Sequence, residues 1–244
     1  MPRSTASPRH LRLRVHGRLA RFLSPARRGG DVEIPIDGTH GVKDPIESIG
    51  IPHVEVAAVE VDGERRPLAH RVHGGETVDV YPVERQSIDL PPRFVLDAHL
   101  GRLARYLRLA GIDTAYSALA RDDVLREAAQ AGRRVLLTRD VALLKRGDVD
   151  DAAFVYAVAP VEQFAEICAR FGLDRSFAPF TRCARCNGRL EPVDAAGVAD
   201  DVPTRVLQAV ERFSRCTECG QVYWPGTHES RLRARLALAG VHLP

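Results

Sequence analysis

The stretch "RFVLDAHLGRLARYLRLAG", residues 93–111, joins a short apolar run directly to an amphipathic pattern. The apolar run is typical of a strand that ends at Asp97. At about 100° per residue, the apolar residues that follow share one helix face, namely Leu100, Leu103, Ala104, Leu107 and Ala110. Gly111 marks the end of this helix. A strand that leads straight into a helix indicates a βαβ unit.

The same alternation continues along the chain. Strand patterns lie in "DTAYS", "RRVLLT" and "AAFVYAV", and helix patterns lie in "RDDVLREAAQAG", "RDVALLKRG" and "VEQFAEICARFG". Strands that alternate with helices predict a mainly parallel sheet of the α/β class. Such sheets bind ligands at the carboxyl ends of their strands, so the residues just after each strand are the first candidates for a site.

The residues before the Pro91-Pro92 pair follow another pattern. Strands are predicted over 11–23, 31–37, 54–63 and 76–83, with a short helix over 42–50 that Gly50 closes. This α+β order resembles the ubiquitin-like β-grasp fold, especially the small sulfur-carrier proteins, which act through a free Gly-Gly terminus. Here Gly74-Gly75 precedes the last strand and predicts a turn. An interaction or docking role therefore fits this region better than carrier chemistry.

Several carboxylates follow the predicted strands. Asp97 and Asp140 come after apolar strands, and Asp122 and Asp123 open a helix between them. Carboxylates that converge on one sheet edge repel one another unless cations lie between them, and oxygen ligands favour Mg²⁺ or Mn²⁺. The alternative for Asp122 and Asp123 is helix capping. Asp148, Asp150 and Asp151 fit a solvated loop.

Basic residues surround these carboxylates. Arg102, Arg105 and Arg108 share a second face of the helix that follows Asp97, and His99 lies at its entry. An exposed arginine stripe there can hold a polyanionic backbone, or it can be a solvated face. The residues expected to contact substrate are His99, Arg102, Arg105 and Arg139.

At this point the sequence resembles a known family. The segments "RFVLDAHLGRLARYLRLAGIDTAY", "DDVLREAAQAGRRVLLTRDVALLKR", "RCARCNGRL" and "FSRCTECGQVYWPGTH" are similar to the Mut-seven C-terminal RNase family, PIN-like nucleases that carry a zinc ribbon. The resemblance implies a three-layer α/β/α nuclease domain and metal-dependent RNA cleavage. It assigns catalytic roles to Asp97 and Asp140, which would hold Mg²⁺ or Mn²⁺, and to Asp122 or Asp123. Asp148 and Asp150 are candidates for the fourth carboxylate of the family. Family members with a preceding ubiquitin-like domain are also known.

Two Cys-x2-Cys pairs complete the motif set. Cys183, Cys186, Cys216 and Cys219 look like the two knuckles of a zinc ribbon. Four thiolates close a tetrahedron around zinc and leave no position for water, which predicts a structural ion; redox-active pairs are the alternative. The fifth cysteine, Cys168, is expected to be a buried core thiol. Tyr223, Trp224 and His228 either stack on RNA bases or pack the ribbon against the nuclease domain.

Composition sets the remaining expectations. The chain has 244 residues, 45% of them hydrophobic and 27% charged, with a net charge of +3. No apolar run suggests a membrane span or a secretory signal, so we expect a cytoplasmic protein with reduced thiols. We predict a ubiquitin-like domain over 1–90, a PIN-like RNase domain over 91–178, and a zinc ribbon with a C-terminal helix over 179–244.

These features predict a metal-dependent ribonuclease whose partner is RNA. One alternative is a non-catalytic RNA-binding module that uses the zinc ribbon and the arginine stripe. Another is an adaptor whose β-grasp domain recruits a protein partner. Carboxylates at the ligand-binding edge favour the first function, because RNA binding alone does not need them.

Overall fold

The computed structural model describes residues 9–146, 149, 151–226, 230, 233–234, 236–237 and 241–242. The predicted C-terminal helix falls mostly outside these residues, as do Asp148, Asp150 and His228. The chain divides into two compact units. Unit 1 takes in Met1–Glu84 and Asp140–Phe154, and unit 2 takes in Arg85–Arg139 and Val155–Pro244.

The elements up to residue 84 are mostly short strands. In chain order they are β1 (Arg9–Val15), β2 (Val32–Ile36), β3 (His40–Gly41), α1 (Lys43–Ser48), β4 (Val56–Val61), β5 (Glu64–Arg66), β6 (Arg71–Val72) and β7 (Thr77–Pro82). Five of these strands form one sheet in the order β2-β1-β7-β4-β5. Strands β1 and β7 pair in parallel at its centre, and the other pairs are antiparallel. This mixed sheet with α1 is the ubiquitin-like arrangement expected from the sequence.

One strand prediction in this region was too long. The strand predicted over 11–23 ends at Val15, and a 3₁₀ helix covers Gly17–Phe22. Gly17 has φ 55°, a left-handed backbone conformation that glycine adopts without strain and that ends the strand. Leu19 and Leu23 are buried, so the apolar residues do face the core, but the 3₁₀ helix and the residue after it carry them rather than a strand.

The Gly74-Gly75 pair forms the predicted turn. Gly74 has φ 87°, and a Cβ atom at this position would lie 2.5 Å from the Cβ of Arg9. The N–H of Gly75 donates to the carbonyl of His10 at 2.7 Å. Gly74 therefore allows the close approach of this turn to β1, whereas Gly75 is favoured by its backbone conformation, with φ 104°.

The remaining elements alternate between strand and helix before the ribbon begins. They are β8 (Arg93–Leu96), α2 (Gly101–Leu109), β9 (Asp113–Tyr116), α3 (Asp122–Gly132), β10 (Val135–Thr138), α4 (Val141–Leu144), β11 (Ala152–Phe154), α5 (Pro160–Phe171), β12 (Leu190–Val193), α6 (Thr204–Leu207), β13 (Phe213–Cys216) and β14 (Val222–Tyr223). Strands β10, β8 and β9 lie side by side in that order and run parallel.

Helices pack on this parallel sheet as the sequence pattern requires. Helix α2 contacts α5 and β9, whereas α3 contacts β8 and β10. The predicted apolar face of α2 is fully buried, from Leu100 to Ala110. Cys168 in α5 is buried, as predicted, and burial raises the pKa of its thiol. Strands β12, β13 and β14 form a separate antiparallel sheet that carries part of the cysteine cluster.

Candidate active site and metal centre

Asp97 lies at the carboxyl end of β8, where the parallel sheet was expected to bind a ligand. Neighbouring β10 runs in register with β8, with Leu96 opposite Leu137, so Thr138 ends beside Asp97. The Thr138 hydroxyl donates to Asp97 Oδ2 at 2.8 Å, and the Asp97 N–H donates to the Leu137 carbonyl at 3.1 Å. Among the described residues, Asp97 forms no ion pair. Its carboxylate is therefore oriented by a neutral donor rather than neutralised by a cation.

The loop after Asp97 is held by a residue that sequence reasoning missed. The Tyr116 hydroxyl, at the end of β9, donates to the Ala98 carbonyl at 2.9 Å. At Gly101, the first residue of α2, a Cβ atom would lie only 2.6 Å from the Tyr116 Oη atom. The absence of a side chain at Gly101 thus admits the tyrosine. The only sequence signal was a tyrosine at the carboxyl end of a predicted strand.

The predicted arginine stripe on α2 is only partly exposed. His99, Arg102 and Arg105 are exposed, and no described residue forms an ion pair or a side-chain hydrogen bond with them. Arg108 is only 4% exposed, so its assignment to an exposed stripe was wrong. It lies on the side of α2 that faces β9 and the first cysteine knuckle, where backbone carbonyls replace water as its hydrogen-bond partners.

Asp122 and Asp123 are exposed residues in the first turn of α3. The N-cap is Arg121, and it makes no side-chain capping bond, so neither aspartate is the cap residue. Asp123 pairs with Arg121 at 3.3 Å. Within the described part of unit 2, these two aspartates and Asp97 do not form a cluster of metal-binding carboxylates. Their catalytic role stays a prediction.

Asp140 belongs to unit 1, whereas Asp97 belongs to unit 2, so the pairing of the two carboxylates also stays a prediction. Asp140 is the N-cap of α4, and its Oδ1 atom accepts from the N–H groups of Ala142 at 2.7 Å and Leu143 at 3.3 Å. These bonds fix the direction of the carboxylate. The neighbouring Asp151 is exposed, as expected for a loop residue.

Arg139 has backbone partners that the sequence did not indicate. Its Nη1 atom donates to the carbonyls of Val155 at 2.8 Å, Tyr156 at 3.2 Å and Ala157 at 2.5 Å. The guanidinium therefore supplies a hydrogen-bond donor to three successive backbone carbonyls just after β11. The contact of Arg139 with substrate stays a prediction.

The four cysteines of the two knuckles come together. Their sulfur atoms all lie within 4.8 Å of one another, which is the arrangement of a metal site. Among the described residues, this is the only group of three or more potential metal ligands that lie this close together. The distances are 3.6 Å between the sulfurs of Cys183 and Cys219 and 3.4 Å between those of Cys186 and Cys216. A tetrahedral zinc ion with Zn–S bonds of about 2.3 Å requires sulfurs about 3.8 Å apart. The donor set therefore fits zinc.

Tyr223 supports this centre, which favours packing over base stacking for that residue. Its hydroxyl lies 3.2 Å from Cys183 Sγ and accepts from the N–H of Ala184 at 3.0 Å, so its own proton can point at the sulfur. Burial raises the pKa of the Cys183 thiol, but hydrogen bonds from Tyr223 and from backbone N–H groups outweigh burial and lower the pKa to about 6. A thiolate is the form that binds metal. Trp224, by contrast, is 38% exposed.

Arg108 links the first knuckle to the parallel sheet. Its Nε atom donates to the Thr114 carbonyl at 2.9 Å, and its Nη1 atom donates to the carbonyls of Arg185 at 2.8 Å and Ala184 at 3.3 Å. Thr114 lies in β9, whereas the other two carbonyls lie between Cys183 and Cys186. One buried guanidinium thus bridges the sheet and the metal centre.

A second link runs through Asn187, which follows the first knuckle. Its Oδ1 atom accepts from the Thr114 N–H at 3.0 Å, and its Nδ2 atom donates to Asp113 Oδ1 at 2.8 Å. Arg134 donates to the same Asp113 oxygen at 2.7 Å. Burial raises the pKa of Asp113, but the hydrogen bonds from Arg134 and Asn187 outweigh it and hold the pKa below its usual value. The ribbon and the sheet therefore share a polar network.

Comparisons with known proteins identify two family domains in the chain. A family model described as "Mut7-C RNAse domain" matches residues 92–236, and a model described as "Mut7-C ubiquitin" matches residues 9–88. Searches of curated proteins and of solved structures returned no match. None of the helices in the described part of the chain has the length and apolar character needed to cross a bilayer.

Proposed function

Since this chain belongs to the Mut7-C RNAse domain family, we propose that it hydrolyses RNA phosphodiester bonds at a site built on Asp97 and Asp140. These two carboxylates would hold Mg²⁺ or Mn²⁺, and Asp122 or Asp123 would assist. When bound, such an ion activates water and neutralises charge that develops on the phosphoryl oxygens. The PIN-like class of the nuclease is part of the same proposal.

The orientation of Asp97 is the observation that carries this proposal. Thr138 holds one carboxylate oxygen at 2.8 Å, and Asp97 has no ion-pair partner among the described residues. An arginine or lysine in contact would neutralise the carboxylate and compete with a metal ion. A carboxylate that a hydroxyl holds in place keeps its negative charge for a cation, and hard cations prefer oxygen ligands.

We propose that RNA lies along the exposed side of α2. Arg102 and Arg105 are three residues apart, and both are exposed on the helix that begins just after the Asp97 loop. Guanidinium groups bind phosphate through paired N–H donors, and His99 adds a third polar group at the entry. These residues would position the RNA backbone and raise affinity without taking part in bond cleavage.

We propose that the ribbon binds one structural zinc ion through Cys183, Cys186, Cys216 and Cys219. The sulfur distances and the Tyr223 hydrogen bond support this assignment. Four protein ligands leave no open position on zinc for water, so the ion would serve folding rather than catalysis. Reduced thiols are required, which fits the cytoplasmic location that we propose for this protein.

A cleavage assay on total RNA with Mg²⁺, Mn²⁺ or chelator tests the proposed activity. We expect Asp97→Asn to abolish turnover while RNA binding and the thermal midpoint change little, since the amide keeps the Thr138 bond. Asp200→Asn, at an exposed aspartate of the ribbon region, is the matched control and should cleave as wild type does. Cleavage by Asp97→Asn at the wild-type rate would reject this site.

The same experiment distinguishes the alternatives. RNA binding without cleavage under every metal condition would favour the non-catalytic RNA-binding module. A protein partner for the β-grasp domain is a separate proposal that rests on its ubiquitin-like fold. Co-purification from cell extract, with full-length protein as bait, tests it, and recovery of RNA alone would count against an adaptor role.

A further inference from the structure

The segment Asp140–Phe154 has an unexpected location. The nuclease family model covers it, yet it lies in unit 1, the compact unit that contains the ubiquitin-like domain. The segment begins at Asp140, continues through α4 and ends with β11. Contacts between this segment and the ubiquitin-like domain are therefore contacts within one unit.

A buried carboxyl group forms the first of these contacts. Glu55 is 0% exposed, and its Oε1 atom accepts from the N–H of Phe154 in β11 at 2.7 Å. The backbone of Glu55 is itself fixed, since its N–H donates to the Pro52 carbonyl at 3.0 Å and its carbonyl accepts from the Val83 N–H at 2.9 Å. Burial of a carboxyl group is costly without such partners. Glu55 thus ties β11 to a rigid part of the ubiquitin-like domain.

Two further contacts secure the segment. The Lys145 ammonium donates to the Glu47 carbonyl at 2.6 Å, near the C-terminal end of α1, where a positive charge is favourable. The Phe154 ring packs edge-on against Phe22, with ring centroids 4.9 Å apart and an interplanar angle of 73°. The segment is held at its end by Phe154 and in its middle by Lys145.

Lys145 connects these contacts to Asp140 of the proposed site. Helix α4 has Asp140 as its N-cap and Lys145 as its C-cap. The short helix between the two caps connects the carboxylate directly to the residue that the ubiquitin-like domain holds. A shift of Lys145 would move Asp140 with it, because the helical hydrogen bonds keep α4 in one piece. Strand β11 acts on Asp140 through its direct packing against α4.

We infer that the ubiquitin-like domain acts within its own chain to position Asp140, with Glu55 and Lys145 as the positioning residues. This inference rests on the proposed function, in which Asp140 binds the divalent ion. The domain is then a component of the nuclease in addition to any role as a docking module. Glu55 and Lys145 touch neither substrate nor metal and act through the backbone of the segment.

Hydrogen exchange and Mn²⁺ binding to full-length protein test the inference. Glu55→Leu should raise the exchange rate of the Phe154 amide by about tenfold or more, since a hydrogen bond to a carboxylate is lost. We expect a loss of Mn²⁺ affinity of about tenfold in calorimetry, with RNA affinity within about twofold of wild type. Glu55→Gln keeps an oxygen acceptor and should restore most of both properties.

A second pair of variants tests the inference even if Glu55→Leu fails to fold. Lys145→Met removes the ammonium at a partly exposed position, and Arg146→Met is the matched control at the next residue, which is exposed. Lys145→Met should accelerate exchange over 141–146 and weaken Mn²⁺ binding by at least threefold, whereas Arg146→Met should change neither.

The outcomes separate this inference from the proposed function. Wild-type exchange rates in Glu55→Leu and Lys145→Met would overturn the positioning role, whatever the cleavage assay shows. Accelerated exchange with unchanged Mn²⁺ affinity would overturn it as well, because the segment would then be held without consequence for the site. Accelerated exchange and weakened Mn²⁺ binding in a protein that does not cleave RNA would support positioning while rejecting the nuclease function.

Discussion

Arg108 should be the arginine of α2 whose loss destabilises the protein. Its guanidinium donates to three backbone carbonyls at 2.8, 2.9 and 3.3 Å. Arg108→Met keeps much of the aliphatic volume but leaves these carbonyls without a donor. An unsatisfied buried polar group costs about 1–3 kcal/mol, and the longest bond contributes least.

The cost of burying the Arg108 charge reduces the expected loss of stability. Burial lowers the pKa of Arg108, although the nearby cysteine sulfurs counteract this. The desolvation cost that this shift reflects disappears in the methionine variant, so we expect a net loss of about 2–4 kcal/mol. For a protein of this size, about 1 kcal/mol lowers the melting temperature by about 2–4 °C. The expected decrease is therefore about 5–15 °C.

Arg105→Met is the matched control, because Arg105 lies one turn earlier on the same helix and is exposed. Among the described residues, none forms a hydrogen bond with its side chain. Its melting temperature, measured by circular dichroism with saturating zinc, should fall within about 2 °C of wild type. Zinc release to a chromogenic chelator should be faster from Arg108→Met, since its knuckle carbonyls lose their anchor. Equal melting temperatures for the two variants would refute the bridging role of Arg108.

Three further predictions follow from the site geometry. Tyr223→Phe should lower zinc affinity about tenfold in chelator competition, since the bond to the thiolate is lost; unchanged affinity would contradict this. Gly101→Ala should destabilise the protein by about 1 kcal/mol in urea unfolding through its clash with Tyr116, but in a Tyr116→Ala background it should stabilise by up to about 1 kcal/mol. The same sign in both backgrounds would exclude the clash. Hydrogen bonds hold the pKa of Asp113 low in the folded protein. The ionised Asp113 therefore stabilises the fold fully above its unfolded-state pKa of about 3.9, and this stabilisation is lost as pH falls through the folded-state pKa. The difference in unfolding free energy between wild type and Asp113→Asn should therefore shrink below about pH 4. A difference that stays constant with pH would argue against this role of Asp113.

Short-range sequence patterns predicted most of the architecture. The apolar face of α2 is buried from Leu100 to Ala110, because a helix with one apolar stripe must turn it toward the sheet. The two Cys-x2-Cys pairs predicted one metal-binding group, since each pair sets two thiols at a short, defined separation. Asp97 at a sheet edge followed from the order of strand and helix. In each case the relevant information lies within a few neighbouring residues.

The structure decided which polar groups meet across long separations. Arg108 appeared to belong to an exposed stripe because its helix face also carries Arg102 and Arg105. Two of its three carbonyl partners lie 76 and 77 residues away in the first knuckle, and no local pattern encodes that approach. The same holds for Tyr116, whose role depends on a neighbouring loop that only the parallel sheet brings near.

The assignment of Asp140–Phe154 to unit 1 is the clearest case of this limit. In the sequence, this segment continues the strand and helix alternation of the nuclease, and nothing in its composition distinguishes it. Its ties to the ubiquitin-like domain join residues 98 and 99 positions apart, Glu47 with Lys145 and Glu55 with Phe154. Sequence periodicity determines which face of an element is apolar. Which distant backbone donor or acceptor completes a buried polar group is decided only when the whole chain has packed.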